Sequence, residues 1–75
     1  MNIEKAKKHY EEGIAHFRNG KFSNAESAYK EALKINPNYA DAHNDLGNLY
    51  LKRGRLKESY NAYRKALKYA PNHPM

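Results

Sequence analysis

Apolar side chains recur along this chain at helical spacing, in four successive stripes. Residues 3 to 18 place Ile3, Ala6, Tyr10, Gly13, Ile14 and Phe17 on one broad face. Steps of three and four residues bring side chains onto the same side of a helix with 3.6 residues per turn. Residues 23 to 35 repeat the arrangement with Ala25, Ala28, Tyr29, Ala32, Leu33 and Ile35. A third stripe, from about Tyr39 to Lys52, holds Ala42, Leu46, Leu49 and Tyr50. A fourth, from about Lys57 to Tyr69, continues the stripe with Leu56, Tyr60, Tyr63, Ala66 and Leu67. No stretch alternates at period two, so the pattern predicts four helices and no strand.

The punctuation agrees with that division. Asn2 is placed to cap the first helix, and Asn19-Gly20 to stop it, because glycine accepts the left-handed geometry that closes a helix. Ser23 followed by Glu26 reads as a capping box for the second helix. Asn36-Pro37 ends that helix, since proline disfavours helical geometry in the residue before it. Arg53-Gly54 marks the next turn and Ala70-Pro71 the last stop. Lys57 stands where Ser23 stood, so the fourth helix is expected to lack a side-chain cap and to fray more easily. Gly13 with Ala32, and Gly47 with Ala66, are expected to let the helices of each hairpin approach closely.

The two halves match at a spacing of 34 residues. His9 falls on His43, Gly13 on Gly47, Gly20 on Gly54, Ala28-Tyr29 on Ala62-Tyr63, Ala32-Leu33-Lys34 on Ala66-Leu67-Lys68, and Pro37-Asn38 on Pro71-Asn72. A fixed period of this size marks a repeat architecture, in which one unit cannot bury its apolar face alone. The expectation is one domain over residues 1–75, with a first repeat at about 6–39 and a second at about 40–73.

Composition narrows the chemistry. The chain has 75 residues and no cysteine, which excludes disulfides and thiolate metal sites and leaves helix packing and association to stabilise a thin core. The net charge is +6, from 14 basic and 8 acidic residues. Residues 6–39 carry six basic and four acidic side chains, residues 40–75 seven and three. Such a field favours acidic partners or nucleic acid, although a solvated surface is the plainer reading. No apolar leader and no run long enough to span a bilayer occurs, so a cytoplasmic location and no membrane partner are expected.

His43, Leu46-Gly47, Tyr50, Ser59, Tyr63, Ala66 and Pro71 in the second unit resemble the signature of the tetratricopeptide repeat, an aromatic, Leu-Gly, Tyr, Ala, an aromatic, Ala and Pro at fixed offsets. The first unit carries His9, Glu12-Gly13, His16, Ala25, Tyr29, Ala32 and Pro37 at the same offsets. The resemblance covers about 68 of the 75 residues. It implies an all-α fold: two antiparallel helix-turn-helix hairpins stacked as a short right-handed α-solenoid. The departures matter too. Histidine replaces the family's usual tryptophan in both units. Glu12 and His16, where the second unit keeps Leu46 and Tyr50, point to an amino-terminal end facing water. At the other end Tyr60, Tyr63, Leu67 and Tyr69 form an apolar face with only Pro71 to Met75 after it, and Pro74 argues against an immediate further helix.

The resemblance also implies a concave groove lined by the first helix of each hairpin, where the family binds peptides. Its positions here are Lys7, Tyr10, Glu11, Ile14, Phe17 and Arg18, then Asp41, Asn44, Asp45, Asn48, Leu51 and Lys52. Asn44 and Asn48, four apart, present amides to an extended backbone, and Ile14, Phe17 and Leu51 offer apolar contact. Members that hold a terminal carboxylate use lysine and asparagine. The matching positions here are Tyr10, Ile14 and Asp45, which supply no such donor, and Asp45 would repel the carboxylate.

Other chemistry is weakly represented. His9 and His16 lie seven apart on one helix, about 10 Å by helical rise, too far for one metal ion whose ligand bonds are about 2 Å. Glu12 is placed four before His16 to pair with it. There is no phosphate loop, nucleophile elbow or ligand cluster, so neither an enzyme, a metal nor a cofactor is expected. Lys52-Arg53-Gly54-Arg55-Leu56-Lys57, with Arg64, Lys65 and Lys68, forms the sharpest basic cluster, but nucleic acid ranks behind protein because the tyrosines occupy packing positions. The sequence therefore reads as a protein-interaction scaffold that binds a peptide or helix in the groove. It is expected to associate through Tyr60, Tyr63, Leu67 and Tyr69, as a homo-oligomer or within a longer repeat array. The alternatives are a basic module for nucleic acid or acidic surfaces, and a designed or excised repeat fragment with only a structural role.

Overall fold

The computed structural model describes residues 2–70 and contains four helices, α1 (Ile3–Arg18), α2 (Phe22–Ile35), α3 (Ala40–Lys52) and α4 (Leu56–Tyr69). No strand occurs among the described residues. Pro71 and Pro74, expected to stop the last helix and to block another, lie outside the described residues. Asn2 caps α1 as its position suggests, its Oδ1 accepting the Lys5 backbone N–H at 2.9 Å. Both hairpin turns close on a glycine in the left-handed region, Gly20 at φ 74° and Gly54 at φ 75°. Next to each, a backbone N–H reaches back five residues, Lys21 to the His16 carbonyl at 2.9 Å and Arg55 to the Tyr50 carbonyl at 2.8 Å. The two turns are the same device 34 residues apart.

The capping box does not form. The residue before α2 is Lys21, which makes no side-chain cap, and Ser23 lies inside the first turn. α4 starts the same way from Arg55, also without a side-chain cap, so the expected contrast between the two helix starts disappears.

Packing runs within hairpins and then between them: α1 lies on α2 and α3 on α4, while α2 packs on α3 and α1 touches it. α3 is therefore the central helix, with Ala42, His43, Asn44, Leu46, Gly47, Leu49 and Tyr50 buried, whereas α1 buries only Ala6 and Gly13. The shared core is Ala25, Tyr29, Leu46, Leu49, Tyr50 and Ala62, with Tyr10, Ile14, Phe17, Phe22 and Leu33 against it. No Cα of α2 comes within 8 Å of one in α4, and a cleft opens between the two helices over α3.

The role of the helical glycines is more specific than close approach beside alanine. A Cβ on Gly13 would stand 2.5 Å from Cδ1 and Cε1 of Tyr29, and one on Gly47 would stand 2.7 Å from the same atoms of Tyr63. Each glycine is thus the seat of a tyrosine ring from the partner helix. Ser59, at an alanine position of the signature, donates its hydroxyl to the Gly47 carbonyl at 2.9 Å and so satisfies itself in the core.

One polar cluster ties the hairpins together. Glu26 of α2 accepts from the Tyr50 hydroxyl at 3.1 Å, from Lys30 at 2.9 Å, and from Arg53 and Arg55 at 3.3 Å each. Arg55 also grips Glu58 with Nε and an Nη at 2.8 and 2.9 Å and lies 5.0 Å above the Tyr50 ring. Arg53 and Arg55 of the basic cluster seen in the sequence are engaged here.

Candidate functional site

Between the two hairpins, α1 and α3 wall a concavity of about 360 Å³. Its lining is Ile14, Phe17 and Arg18 from α1, Tyr29 from α2, and Asp45 and Asn48 from α3. Of the groove positions expected from the sequence, Ile14, Phe17, Arg18, Asp45 and Asn48 line this space. Tyr10 stands beside it, its ring 6.0 Å from Tyr29 and 5.0 Å from Tyr39, and its hydroxyl donates to Asp45 Oδ2 at 2.6 Å. Lys7, Leu51 and Lys52 are exposed and are not part of the lining. Asn44 and Asn48 sit at different depths. Asn44 is buried, with no hydrogen-bond donor to its Oδ1 among the described residues, whereas Asn48 is exposed.

The electrostatics fix which groups remain for a ligand. Burial, and then the hydrogen bond to Asp45, push the Tyr10 phenol well above its ordinary value. Burial, reinforced by the charge of Asp45, pushes Tyr29 up to about 12. Both phenols stay protonated, so Tyr10 is a donor committed to Asp45. Asn48 Oδ1 accepts the hydroxyl of Tyr63. The Asn48 amide N–H groups and the exposed Arg18 guanidinium are then the donors facing the space, beside the apolar faces of Ile14, Phe17 and Tyr29. Phe17 is itself braced, its ring 5.4 Å from Phe22. Tyr29 is the wall that sequence reasoning assigned to packing alone; the signal was Gly13, which seats its ring.

The remaining sequence candidates fall as follows. On α4, Tyr60 is 62% and Leu67 41% exposed. Tyr63 is half-buried against Gly47, and the Tyr69 ring stacks on His43 with centroids 5.7 Å apart. Glu12 pairs with His9 at 3.1 Å rather than with His16, because the three-residue step is as short a reach as the four-residue one. Among the described residues no group of His, Asp and Glu is arranged to hold a metal ion. No helix among them is long and apolar enough to cross a membrane.

Among the described residues, His43 is the one buried titratable base. Its Nε2 lies 2.9 Å from the Pro37 carbonyl. Burial lowers its pKa, the Pro37 hydrogen bond opposes this, and the Lys65 charge adds to the lowering. An imidazole titration by NMR is therefore expected to give His43 a midpoint below the ordinary 6.5. The unfolded chain takes up that proton first, so this group subtracts stability as pH falls below 6.5. A midpoint above 6.5 would contradict the burial argument.

Comparison with known proteins agrees with this geometry. The sequence model described as tetratricopeptide repeat matches residues 10–74. The chain belongs to the tetratricopeptide repeat family, whose repeats mediate protein–protein interaction. Among chains of known structure that share the fold, a crystal structure of MamA superposes with a TM-score of 0.88 at 30% sequence identity. The match covers 93% of this chain and 41% of the MamA chain, so the present sequence spans less than half the length of that protein. A search of curated proteins finds no match.

Proposed function

We propose that this chain is a protein-interaction module that binds a peptide or helix of another protein in the groove between α1 and α3. The observation that carries the reading is the lining itself. Ile14, Phe17 and Tyr29 form an apolar wall, and Arg18, Asp45 and Asn48 stand on its rim, all mounted on packed helices. Side chains from rigid elements hold their geometry better than those on loops, and a few polar groups at the edge of an apolar surface fix a peptide's register.

Peptides selected on the immobilised protein provide the test. Asn48→Ala and Ile14→Ser are expected to weaken the selected peptides by about tenfold each, the loss of one amide contact or one apolar contact, with unchanged helical circular dichroism. Full affinity in both variants would remove the groove as the site. High salt should change this binding little, whereas binding to nucleic acid would fall steeply.

Association of two copies through Tyr60, Tyr63, Leu67 and Tyr69 is a second reading, supported by the exposure of Tyr60 and Leu67 seven residues apart on one face. Light scattering would support it by a mass that rises with concentration and reverts in Tyr60→Ser with Leu67→Ser. A monomer at every concentration would overturn it.

A further inference from the structure

The cleft that α2 and α4 leave between them is larger than the groove, about 460 Å³, and shares no residue with it. Its α3 contribution is His43, Leu46 and Tyr50, whereas the groove takes Asp45 and Asn48. At the roughly 100° step of a helix, those two sets lie on opposite faces of α3. The cleft is a separate place on the molecule with its own chemistry.

Its floor is apolar: Leu33, Pro37, Leu46 and Ala62, with Tyr50 and Tyr69 at the sides. His43 explains part of the opening. It occupies the position where the repeat signature has tryptophan, and its smaller ring is held down by the Pro37 carbonyl and stacked on Tyr69. The volume falls in the range of clefts that enclose a ligand group rather than a single water.

The charge of the cleft is one-sided. The one carboxylate in its lining, Glu58, is gripped by both arms of Arg55, and Lys30, also in the lining, is paired with Glu26 outside it. Lys65 stands on the opposite part of the wall. From there a shallow strip along α4 shares Asn61 and Lys65 with the cleft and continues to Arg64 and Lys68. Among the described residues no carboxylate lies within ion-pair distance of Lys65, Arg64 or Lys68. Arg64 and Lys68 lie over the exposed rings of Tyr60 and Tyr69 instead, at 5.7 and 5.6 Å.

We propose that this cleft is a second binding site, which takes an acidic peptide segment of another protein that inserts one bulky apolar side chain between α2 and α4. The apolar floor receives the side chain, and the segment's carboxylates lie along Lys65, Arg64 and Lys68. A basic segment would meet like charge along the whole strip, and complementarity of this kind selects partners more than it adds affinity.

The probe is a capped Asp-Glu-Phe-Leu-Glu-Asp peptide titrated into the uniformly labelled protein and followed by NMR. Two controls accompany it, a twin with lysine at the four acidic positions and an oligothymidylate. The expected result is movement of the Leu33, His43, Asn61, Lys65 and Tyr69 resonances with the acidic peptide, while Ile14 and Asn48 stay still. Lys65→Glu, an exposed change that leaves the core intact, is expected to weaken the peptide by about tenfold. His43→Trp, which fills the floor, should abolish the movement; if that variant fails to fold, Lys65→Glu with Lys68→Glu decides instead. Movement centred on Ile14 and Asn48, equal binding of the lysine twin, stronger binding of the oligothymidylate at the same residues, or no movement up to millimolar peptide would each overturn the proposal. Because the groove and the cleft share no residue, loss of one reading leaves the other standing.

Discussion

Tyr29→Ala is expected to unfold the chain or bring it to the edge of unfolding. Tyr29 is 2% exposed, its ring rests on the bare backbone of Gly13, and it belongs to the core cluster that joins both hairpins. Truncating a buried aromatic costs about 3–5 kcal/mol, and a domain of this size has only about 5 kcal/mol or slightly more to lose. Each kcal/mol moves the melting temperature of so short a chain by about 4–8 °C, so the drop should exceed about 12 °C. Tyr29→Phe keeps the ring and should cost less than about 1.5 kcal/mol. Gly13→Ala approaches the same contact from the other helix. Its new Cβ meets a ring that is locked in the core, and the overpacking of about 1–3 kcal/mol should outweigh the gain in helix propensity of about 1 kcal/mol. Gly47→Ala should be milder, because the Tyr63 ring it would displace is only half-buried and can swing outward. Thermal unfolding followed by circular dichroism checks the series. A melting temperature for Tyr29→Ala within a few degrees of the parent would show that Tyr29 does not join the hairpins. Since Tyr29 also walls the groove, Tyr29→Phe should keep peptide binding where Tyr29→Ala loses it.

The fold was legible because it is written locally and twice. The period of the apolar stripes, the glycines at each turn and the 34-residue register specify the four helices and their pairing without any long-range information. What the sequence misassigned had its partners far along the chain. Ser23 and Glu26 satisfy the spacing of a capping box, yet Glu26 pairs with Lys30 one turn on and with Tyr50, Arg53 and Arg55, and these last three lie 24, 27 and 29 residues away. No spacing rule reaches that distance. Gly13 and Gly47 announced a close approach, but which ring would occupy the seat depended on how the hairpin closed. The depth of Asn44 was hidden for a related reason. α3 packs against α1, α2 and α4, so its buried face is wider than the stripe of a surface helix, and a polar residue at its edge is drawn inside. The cleft between α2 and α4 was invisible because it arises from how far apart α3 holds two helices that are not consecutive in the chain.

Glu26→Gln is the second substitution expected to act strongly, and its signature is in pH rather than in magnitude alone. The Glu26 side chain is 14% exposed and is the only carboxylate that four donors from both sides of the hairpin joint converge upon among the described residues. Burial by itself would raise its pKa, but the hydrogen bonds from Lys30 and Tyr50 and the charges of Lys30 and Arg55 outweigh it and hold the carboxyl below its ordinary value of 4.5. A depressed pKa in the folded state means that the unfolded chain binds the proton more readily. The contribution of Glu26 is therefore complete above about pH 4.5, where even the unfolded carboxyl is ionised, and is lost as pH falls through the folded value. Glutamine keeps the shape and one acceptor but not the charge, so the variant should lose about 1–2 kcal/mol at neutral pH, the lower part of the range for hydrogen bonds to a charged group because Arg53 and Arg55 remain in contact with water. Parent and variant melts should differ by several degrees at pH 7 and converge only as pH falls from 4.5 through the lower folded value, where the parent protonates the same group. A difference that persists undiminished at low pH would mean that Glu26 holds the hairpins by packing, and that its charge is incidental to the joint.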